Sequence, residues 1–194
     1  MSLTHTVRFL REFVSAPGRI GAVSPSSPRL ARRMVQYVDW DQARAVVEVG
    51  PGTGAITGEI LRHLRPGTRF FAVELHAEMG KIFRQRYPEV LLLQDSVQNL
   101  PALCRRQGLE QLDCVLSGLP WASFSSEQQR ELLDAIVSML PPGRQFVTFA
   151  YLQGILLPAA RRFHALLKDR FSEVARSRVT WSNLPPAFVY RCRR

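Results

Sequence analysis

Short apolar runs alternate with stretches of helical periodicity from residue 45 onward. This alternation predicts strands separated by helices, which is typical of a parallel, doubly wound α/β sheet. The predicted strands are 45–49, 69–74, 90–94, 112–116, 145–151, 171–181 and 187–191. The predicted helices are 53–63, 77–86, 99–106, 125–140 and 158–168. No internal repeat or linker interrupts the pattern, so we expect a single domain over residues 1–194.

The first residues also follow a helical pattern, with apolar and basic side chains on opposite faces. The apolar face contains Leu3, Val7, Phe9, Leu10, Phe13 and Val14, and the other face contains Thr4, Arg8, Arg11 and Ser15. Such a helix is suited to a membrane interface, although a helix packed on a protein core has the same pattern. A loop over 21–27 follows, and we expect Ser26 or Ser27 to cap a second helix that runs to residue 37.

A glycine-rich turn follows the first predicted strand, with the pattern E-x-G-x-G-x-G from Glu48 through Gly50 and Gly52 to Gly54. Glycine tolerates positive φ and lets the backbone approach a ligand closely. Dinucleotide folds use G-x-G-x-x-G to receive a pyrophosphate. Here Glu48 would repel such an anion but would favour a cofactor with a cationic amino-acid group. An ordinary strand-to-helix turn is the alternative.

The ends of the next two strands carry acids, where ligands of parallel sheets bind. Glu74 ends the second strand, lies 20 residues after Gly54 and can accept hydrogen bonds from two ribose hydroxyls. Alternatively, Glu74 is an acid placed favourably before a helix. After the third strand, Asp95 can accept an adenine amino group and Ser96 can add a contact, unless both residues only form a turn or helix cap.

The fourth strand ends in Ser117-Gly118-Leu119-Pro120-Trp121. Main-chain carbonyls near Ser117, Gly118 and Leu119 can hold a methyl-accepting nitrogen, and Trp121 can cover an amine by a cation–π contact. The alternative for Trp121 is a loop aromatic packed on the core. Tyr151, at the end of the fifth strand, can accept or relay a proton, or it can be a core tyrosine.

The net charge of +10 is concentrated at the two ends of the chain. Residues 161–194 hold nine bases and two acids, and 1–35 are also basic, whereas 36–160 are nearly neutral. Anionic membranes and nucleic acids are both plausible partners for such ends, and a solvated basic surface is the alternative. No run suggests a membrane span or a signal peptide. Cys104, Cys114 and Cys192 lack metal-ligand spacing, so we expect buried or incidental thiols and no metal.

The glycine run resembles the first motif of the class I S-adenosylmethionine (SAM) methyltransferases. The resemblance implies SAM as cofactor, a Rossmann-like sheet of seven strands with the last one antiparallel, and a cofactor site around the first three strand ends. On that basis Glu48 holds the methionine end of SAM. The cofactor-binding residues implied are Ser26, Glu48, Gly50, Gly52, Thr53, Gly54, Glu74, Leu75, Asp95, Ser96 and Ser117.

Two families share much of this core. The adenine dimethyltransferases of ribosomal RNA have a similar glycine run, but their fourth-strand motif is typically Asn-Leu-Pro-Tyr, whose Asn grips the adenine amine and whose aromatic ring stacks on the flipped base. Here Ser117 or Gly118 occupies the Asn position. The side chain that grips adenine is thus missing, whereas the glycine run is shared. For these reasons an RNA-adenine N6-dimethyltransferase is the alternative function and not the first choice.

The closer resemblance is to the bacterial phospholipid N-methyltransferases. It rests on Phe9-Leu10-Arg11, on 21–27 (GAVSPSS), on 117–121 (SGLPW) and on 183–187 (NLPPA). It implies SAM-dependent methylation of the amine of phosphatidylethanolamine. For that reaction we expect the reaction centre to contain Ser117, Gly118, Leu119, Trp121 and Tyr151. It also implies that residues 1–38 form a helical segment that covers the cofactor and binds an anionic membrane. We therefore expect a cytoplasmic protein on the inner face of the cell membrane, without nucleic acid as a partner.

Overall fold

The computed structural model of the protein describes residues 26–194. Its helices are α1 (Pro28–Val35), α2 (Thr57–His63), α3 (Ala77–Arg86), α4 (Leu100–Arg106), α5 (Ser126–Ser138) and α6 (Pro158–Arg170). Its strands are β1 (Ala45–Val49), β2 (Arg69–Glu74), β3 (Leu92–Gln94), β4 (Cys114–Ser117), β5 (Gln145–Tyr151), β6 (Glu173–Arg176) and β7 (Ala187–Arg193). The described helices include none with the length and apolar content needed to cross a bilayer.

All seven strands form one sheet in the order β3-β2-β1-β4-β5-β7-β6. Strands β1 to β5 pair in parallel, and β7 runs antiparallel to both β5 and β6. The predicted α/β fold with seven strands and an antiparallel last strand is therefore confirmed. Because β1 lies at the centre with every side chain buried, the turn that follows it is held between the ends of two neighbouring strands.

Helices cover both faces of the sheet, as the continuously apolar strands require. On one face, α1 and α2 pack with Leu30, Met34 and Ile60 against Val46 and Leu116 of the sheet, and Phe83 of α3 packs on Ala72 and Leu92. On the other face α4, α5 and α6 bury Leu100, Leu133, Ile136, Phe163 and Leu167 against Val47, Val49, Val115 and Phe146. These two layers fix the strand ends at which the site is built.

The predicted bounds agree with the structure for β1, β2, α3 and β5. The glycine turn occupies 50–54, so α2 begins at Thr57 rather than at residue 53. Strands β3 and β6 are shorter than predicted because parts of 90–94 and 171–181 form loops, and β4 starts two residues later than predicted.

The start of α1 agrees with the expected cap. The Ser27 hydroxyl accepts the Leu30 backbone N–H at 3.2 Å, so Ser27 rather than Ser26 is the N-cap, and the helix ends at Val35 instead of residue 37. The amphipathic pattern from Leu3 to Ser15 and most of the 21–27 loop lie outside the described residues.

Candidate cofactor and active site

The glycine turn after β1 is bonded to the ends of β2 and β4. The Gly50 N–H donates to the Val73 carbonyl at 2.9 Å, and the Gly118 N–H donates to the Val49 carbonyl at 2.9 Å. The Asp95 N–H donates to the Glu74 carbonyl at 3.2 Å. The residues predicted at the ends of β1 to β4 are therefore brought together at the carboxyl edge of the sheet, where parallel sheets bind ligands.

The three glycines of the turn have positive φ, at 66°, 58° and 79° for Gly50, Gly52 and Gly54. A Cβ on Gly50 would lie 2.6 Å from Leu119, and one on Gly54 would lie 2.3 Å from the Tyr87 ring. A Cβ on Gly52 would meet nothing within 4 Å. Protein packing therefore explains two of the glycines, while Gly52 leaves open space in which a ligand can approach the backbone.

Glu48 is fully buried beneath this turn. The Thr57 hydroxyl donates to its Oε2 at 2.6 Å, and its Oε1 is buried with no hydrogen-bond partner. Burial, together with the nearby Glu74, raises the pKa of Glu48 to about 8, although the Thr57 hydrogen bond acts in the other direction. An unpaired buried carboxylate is costly, and a cationic amino group is the ligand that would relieve this cost.

Glu74 is buried at the end of β2 and bonds two backbone amides. Its Oε2 accepts the Gly52 N–H at 3.0 Å and its Oε1 accepts the His76 N–H at 2.9 Å. Because His76 is the N-cap of α3, the alternative of a helix-start acid describes part of its role. Each Glu74 oxygen can accept a further hydrogen bond from a hydroxyl. The next residue, Leu75, exposes 55% of its surface.

Asp95 and Ser96 form a polar turn after β3. The Asp95 Oδ1 accepts the Asn99 side-chain amide at 2.7 Å and the Ser96 N–H at 2.7 Å. These bonds, led by that from Asn99, lower the pKa of Asp95, with a smaller contribution from Arg106. The Ser96 hydroxyl accepts the Gln98 N–H at 3.3 Å and caps a short 3-10 helix. The turn alternative is thus realised, and it holds Asp95 as a charged acceptor.

The turn after β4 is tightly packed on the glycine turn. A Cβ on Gly118 would lie only 2.4 Å from the Gly50 carbonyl oxygen. The Ser117 carbonyl accepts the Thr148 hydroxyl at 3.1 Å, and the Leu119 carbonyl accepts the Trp121 N–H at 3.0 Å. The Gly118 carbonyl accepts no hydrogen bond from residues 26–194, so it is the available acceptor among the three predicted carbonyls.

The prediction that Trp121 covers a substrate amine is wrong. Trp121 is 3% exposed, its ring stacks on Phe163 at 4.4 Å between centroids, and its Nε1–H donates to the Ser117 hydroxyl at 3.1 Å. The edges of Phe124 and Phe146 enclose it further. Aromatic packing in the core, which was the alternative, outweighs an exposed cation–π role because it removes a large apolar surface from water.

The remaining predicted residues lie around this edge. Tyr151 ends β5 half-buried, edge-on to Phe149, and burial raises the pKa of its hydroxyl to about 12. It therefore stays a neutral phenol near neutral pH. The Thr53 carbonyl lies 3.4 Å from an Arg86 guanidinium nitrogen that donates to it, and Ser26 is partly buried directly before the α1 cap.

Several positioning residues were not predicted from the sequence. Thr57 bonds Glu48, and the Tyr87 hydroxyl donates to the Gly54 carbonyl at 3.0 Å. The Gln129 side-chain amide donates to the carbonyls of Trp121 at 2.7 Å and Ala159 at 3.0 Å. A signal existed for Gln129, because it is a polar residue on the stripe that Leu133, Ile136 and Val137 bury. Tyr87 had none, because its partner is 33 residues away.

The structure offers no sign of a metal centre in its described part, where no group of His, Cys, Asp and Glu is arranged to hold an ion. All three cysteines are buried free thiols. Burial raises the pKa of Cys104 to about 11 and that of Cys192 to about 12, and it also raises the pKa of Cys114. None of these thiols is therefore prepared as a nucleophile.

Comparison with known proteins identifies the class of this site. The methyltransferase domain family matches residues 46–143. The O-methyltransferase from Bacillus cereus in complex with SAH has a TM-score of 0.69 at 15% identity, covering 100% of this chain and 92% of that one. O-methyltransferase TomG from Streptomyces achromogenes in complex with SAM has a TM-score of 0.68 at 18% identity, covering 97% and 90%.

The fold, the domain match and the acid-flanked glycine turn define a class I methyltransferase, whose methyl donor is SAM. A full-length relative gives the family. An ornithine lipid N-methyltransferase from Singulisphaera acidiphila is 33% identical over 188 residues, which cover 95% of this chain and 94% of that protein. The chain belongs to the methyltransferase family that contains this relative.

The residues present fit SAM. The unpaired buried Oε1 of Glu48 suits the cationic amino group of the methionine end, and the open space at Gly52 admits a ligand to the backbone. Glu74 retains acceptor capacity beyond its two backbone N–H donors.

Proposed function

We propose that this protein transfers methyl groups from SAM to the amine of a lipid headgroup. The observation that carries the proposal is the match to an ornithine lipid N-methyltransferase along nearly the whole length of both chains. An amine on a lipid is the shared chemistry of that relative's substrate and of phosphatidylethanolamine, the substrate expected from the sequence. We propose phosphatidylethanolamine, once or repeatedly methylated towards phosphatidylcholine, as the substrate to test first.

SAM supplies an electrophilic methyl group, so positioning of the amine accounts for most of the catalysis. We propose that the Gly118 carbonyl accepts an N–H of the substrate amine and so aligns its lone pair. A Cβ added to Gly118 would lie 2.4 Å from the Gly50 carbonyl oxygen. This closeness supports a position for the Gly118 carbonyl beside the cofactor turn. Tyr151 is proposed to relay a proton as a neutral phenol, because its pKa of about 12 makes it unsuitable as a base near neutral pH.

An RNA-adenine methyltransferase is less well supported by the β4 turn. The position that would need an Asn side chain is filled by Ser117, whose hydroxyl is buried and bonded to Trp121, or by Gly118, where any Cβ would collide with Gly50. Trp121, the residue at the aromatic position, is enclosed in the core rather than free to stack on a flipped base. We therefore retain RNA only as a control substrate.

We further propose that the protein works peripherally at the inner face of the cell membrane. The amphipathic pattern of the first residues and the basic ends of the chain support an anionic surface as partner. This arrangement would leave the acyl chains in the bilayer while the headgroup amine reaches the carboxyl edge of the sheet.

Mass spectrometry of lipids after incubation with SAM tests the proposal. Vesicles would contain phosphatidylglycerol with either phosphatidylethanolamine or ornithine lipid, and ribosomal RNA would be tested in parallel. We expect successive methyl-sized mass increments on an amine lipid and none on RNA. Methylation of ornithine lipid alone would show that phosphatidylethanolamine is not the substrate. Methylation of RNA alone would refute the proposal that the protein is a lipid methyltransferase.

A further inference from the structure

Four large apolar side chains are exposed in two neighbouring segments. Leu156, Leu157, Trp181 and Leu184 expose 74%, 50%, 70% and 74% of their surfaces. We call these four residues the apolar rim. Single exposed leucines are common on soluble proteins, but a cluster of highly exposed ones marks a contact surface. Three of the rim residues have the highest exposed fractions among the large apolar side chains of residues 26–194.

The two segments meet at the carboxyl edge of the sheet, beside the candidate site. Leu156 and Leu157 follow the end of β5, while Trp181 and Leu184 precede the start of β7. Tyr151 and Ala187 pair in register, and the Leu152 N–H donates to the Pro186 carbonyl at 2.8 Å. Because β5 also pairs in parallel with β4, this edge is the one that carries the turn at Gly118.

Buried polar contacts hold both segments in place. Asn183, between Trp181 and Leu184, is 1% exposed. Its Oδ1 accepts the Ser27 N–H at 2.9 Å, and its side-chain amide donates to the Pro185 carbonyl at 2.7 Å. Gln129 bonds the Ala159 carbonyl just after Leu157. The backbone next to the rim is therefore anchored in both segments.

The segments that contain the rim are basic. Segments 152–168 and 174–187 contain five bases and no acid. Arg161 and Arg162, on the first turns of α6, are exposed, as is Arg178 just before Trp181. Apolar side chains surrounded by arginine are suited to an anionic bilayer surface, where the apolar groups enter the acyl boundary and the bases contact the phosphates.

We propose that the apolar rim inserts into the interfacial layer of an anionic membrane and so turns the mouth of the site towards the lipid headgroups. This inference rests on the proposed function, because a lipid substrate is the reason for the site to face a membrane. It adds a membrane contact formed by the β5–α6 and β6–β7 connections, separate from the amphipathic pattern of the first residues. A tryptophan among the inserted residues also provides a reporter at the point of contact.

The test measures vesicle binding without any turnover. Full-length protein is mixed with phosphatidylglycerol–phosphatidylcholine vesicles, which contain no substrate amine, with brominated acyl chains as quenchers. A Trp181→Phe variant identifies the signal of Trp181. We expect quenching of Trp181, and about a tenfold loss of vesicle affinity for each of Leu156→Ser and Leu184→Ser, because each removes one buried apolar side chain.

Leu91→Ser is the matched control, since Leu91 is 47% exposed just before β3, at the opposite edge of the sheet. It should bind vesicles like the wild type, and all variants should bind SAM equally in calorimetry. An unquenched Trp181, or rim variants that bind like the wild type, would overturn the proposal, as would binding of RNA instead of vesicles. Vesicle binding through the rim in a protein that methylates no lipid would leave this inference standing and reject the proposed function.

Discussion

At the scale of single residues, the buried Glu48 should contribute a pH dependence to the stability of the cofactor-free protein. Its pKa is about 8 when folded and 4.5 for an ordinary glutamate. Between these values the folded chain retains a proton that the unfolded chain has lost, so stability should fall as pH rises from 4.5 to 8 and level off above. We expect Glu48→Gln to remove this fall, on the order of 1 kcal/mol per pH unit. Thermal melts across this range would measure it.

The control for that experiment is Glu89→Gln, because Glu89 is an exposed glutamate on the loop before β3. It should retain the wild-type slope. Equal pH profiles for Glu48→Gln and the wild type would show that Glu48 is already paired or ionised in the cofactor-free protein.

The same variant, Glu48→Gln, should bind SAM more weakly than the wild type. A glutamine cannot supply the negative charge that the unpaired Glu48 Oε1 offers to a cationic amino group. We expect Glu48→Gln to weaken SAM binding by about 2 kcal/mol, roughly thirtyfold, as measured by calorimetry. Unchanged affinity would place the methionine end elsewhere.

Gly118 lies where the β4 turn packs closely on the backbone of the cofactor turn. The added methyl of Gly118→Ala would lie 2.4 Å from the Gly50 carbonyl oxygen, a backbone atom that cannot move alone. We expect a loss of about 1–3 kcal/mol in unfolding free energy together with weaker SAM binding. Gly154→Ala, where a Cβ meets nothing within 4 Å, should leave SAM affinity unchanged in the same titration. A Gly118→Ala protein with wild-type stability and affinity would contradict the contact.

At the scale of elements, Gln129 of α5 ties the β4 turn to the first turn of α6. Its side-chain amide donates to both the Trp121 and Ala159 carbonyls. Gln129→Leu would remove one buried hydrogen bond from each carbonyl, and the Trp121 carbonyl would retain only the Phe124 N–H at 3.3 Å, so we expect about 1–3 kcal/mol of destabilisation. Because Gln129 is a positioning residue, the Gln129→Leu variant should lose more kcat than SAM affinity.

Steady-state kinetics and calorimetry on Gln129→Leu separate these effects. Gln85→Leu, a change at an exposed glutamine of α3, is the matched control and should resemble the wild type. A fall in SAM affinity as large as the fall in kcat would indicate general damage to the fold instead of misplacement of the β4 turn.

Most elements could be predicted because their periodicity is local. The alternation of apolar residues places β1, β2 and β5 at their observed bounds, and α3 follows from its helical pattern. The start of α2 was misplaced because three positive-φ glycines extend the turn before any helix can begin. Trp121 was misassigned because its stacking partner Phe163 lies 42 positions further along the chain, and only the tertiary fold brings the two rings together.

At the scale of the whole molecule, some of the basic residues behind the net charge of +10 lie at the carboxyl edge of the sheet. Helix α6 begins at the carboxyl edge, where it exposes Arg161 and Arg162, and its segment from 152 to 168 contains no acid. The same edge carries the glycine turn, the Gly118 carbonyl and the apolar rim. The candidate site and these two exposed arginines therefore lie at the same edge, which suits a substrate held in an anionic plane.

This arrangement predicts how binding to anionic vesicles depends on charge. Because a base near a membrane surface contributes about 1 kcal/mol, we expect Arg161→Gln and Arg162→Gln each to weaken vesicle affinity about fivefold. The effect should diminish at high salt, since screening shortens the reach of the surface potential. Arg84→Gln, near the end of α3 at the opposite edge, is the control and should have little effect in the same flotation assay. If all three variants lost affinity equally, net charge alone would attract the protein and the orientation of the site towards the membrane would be refuted.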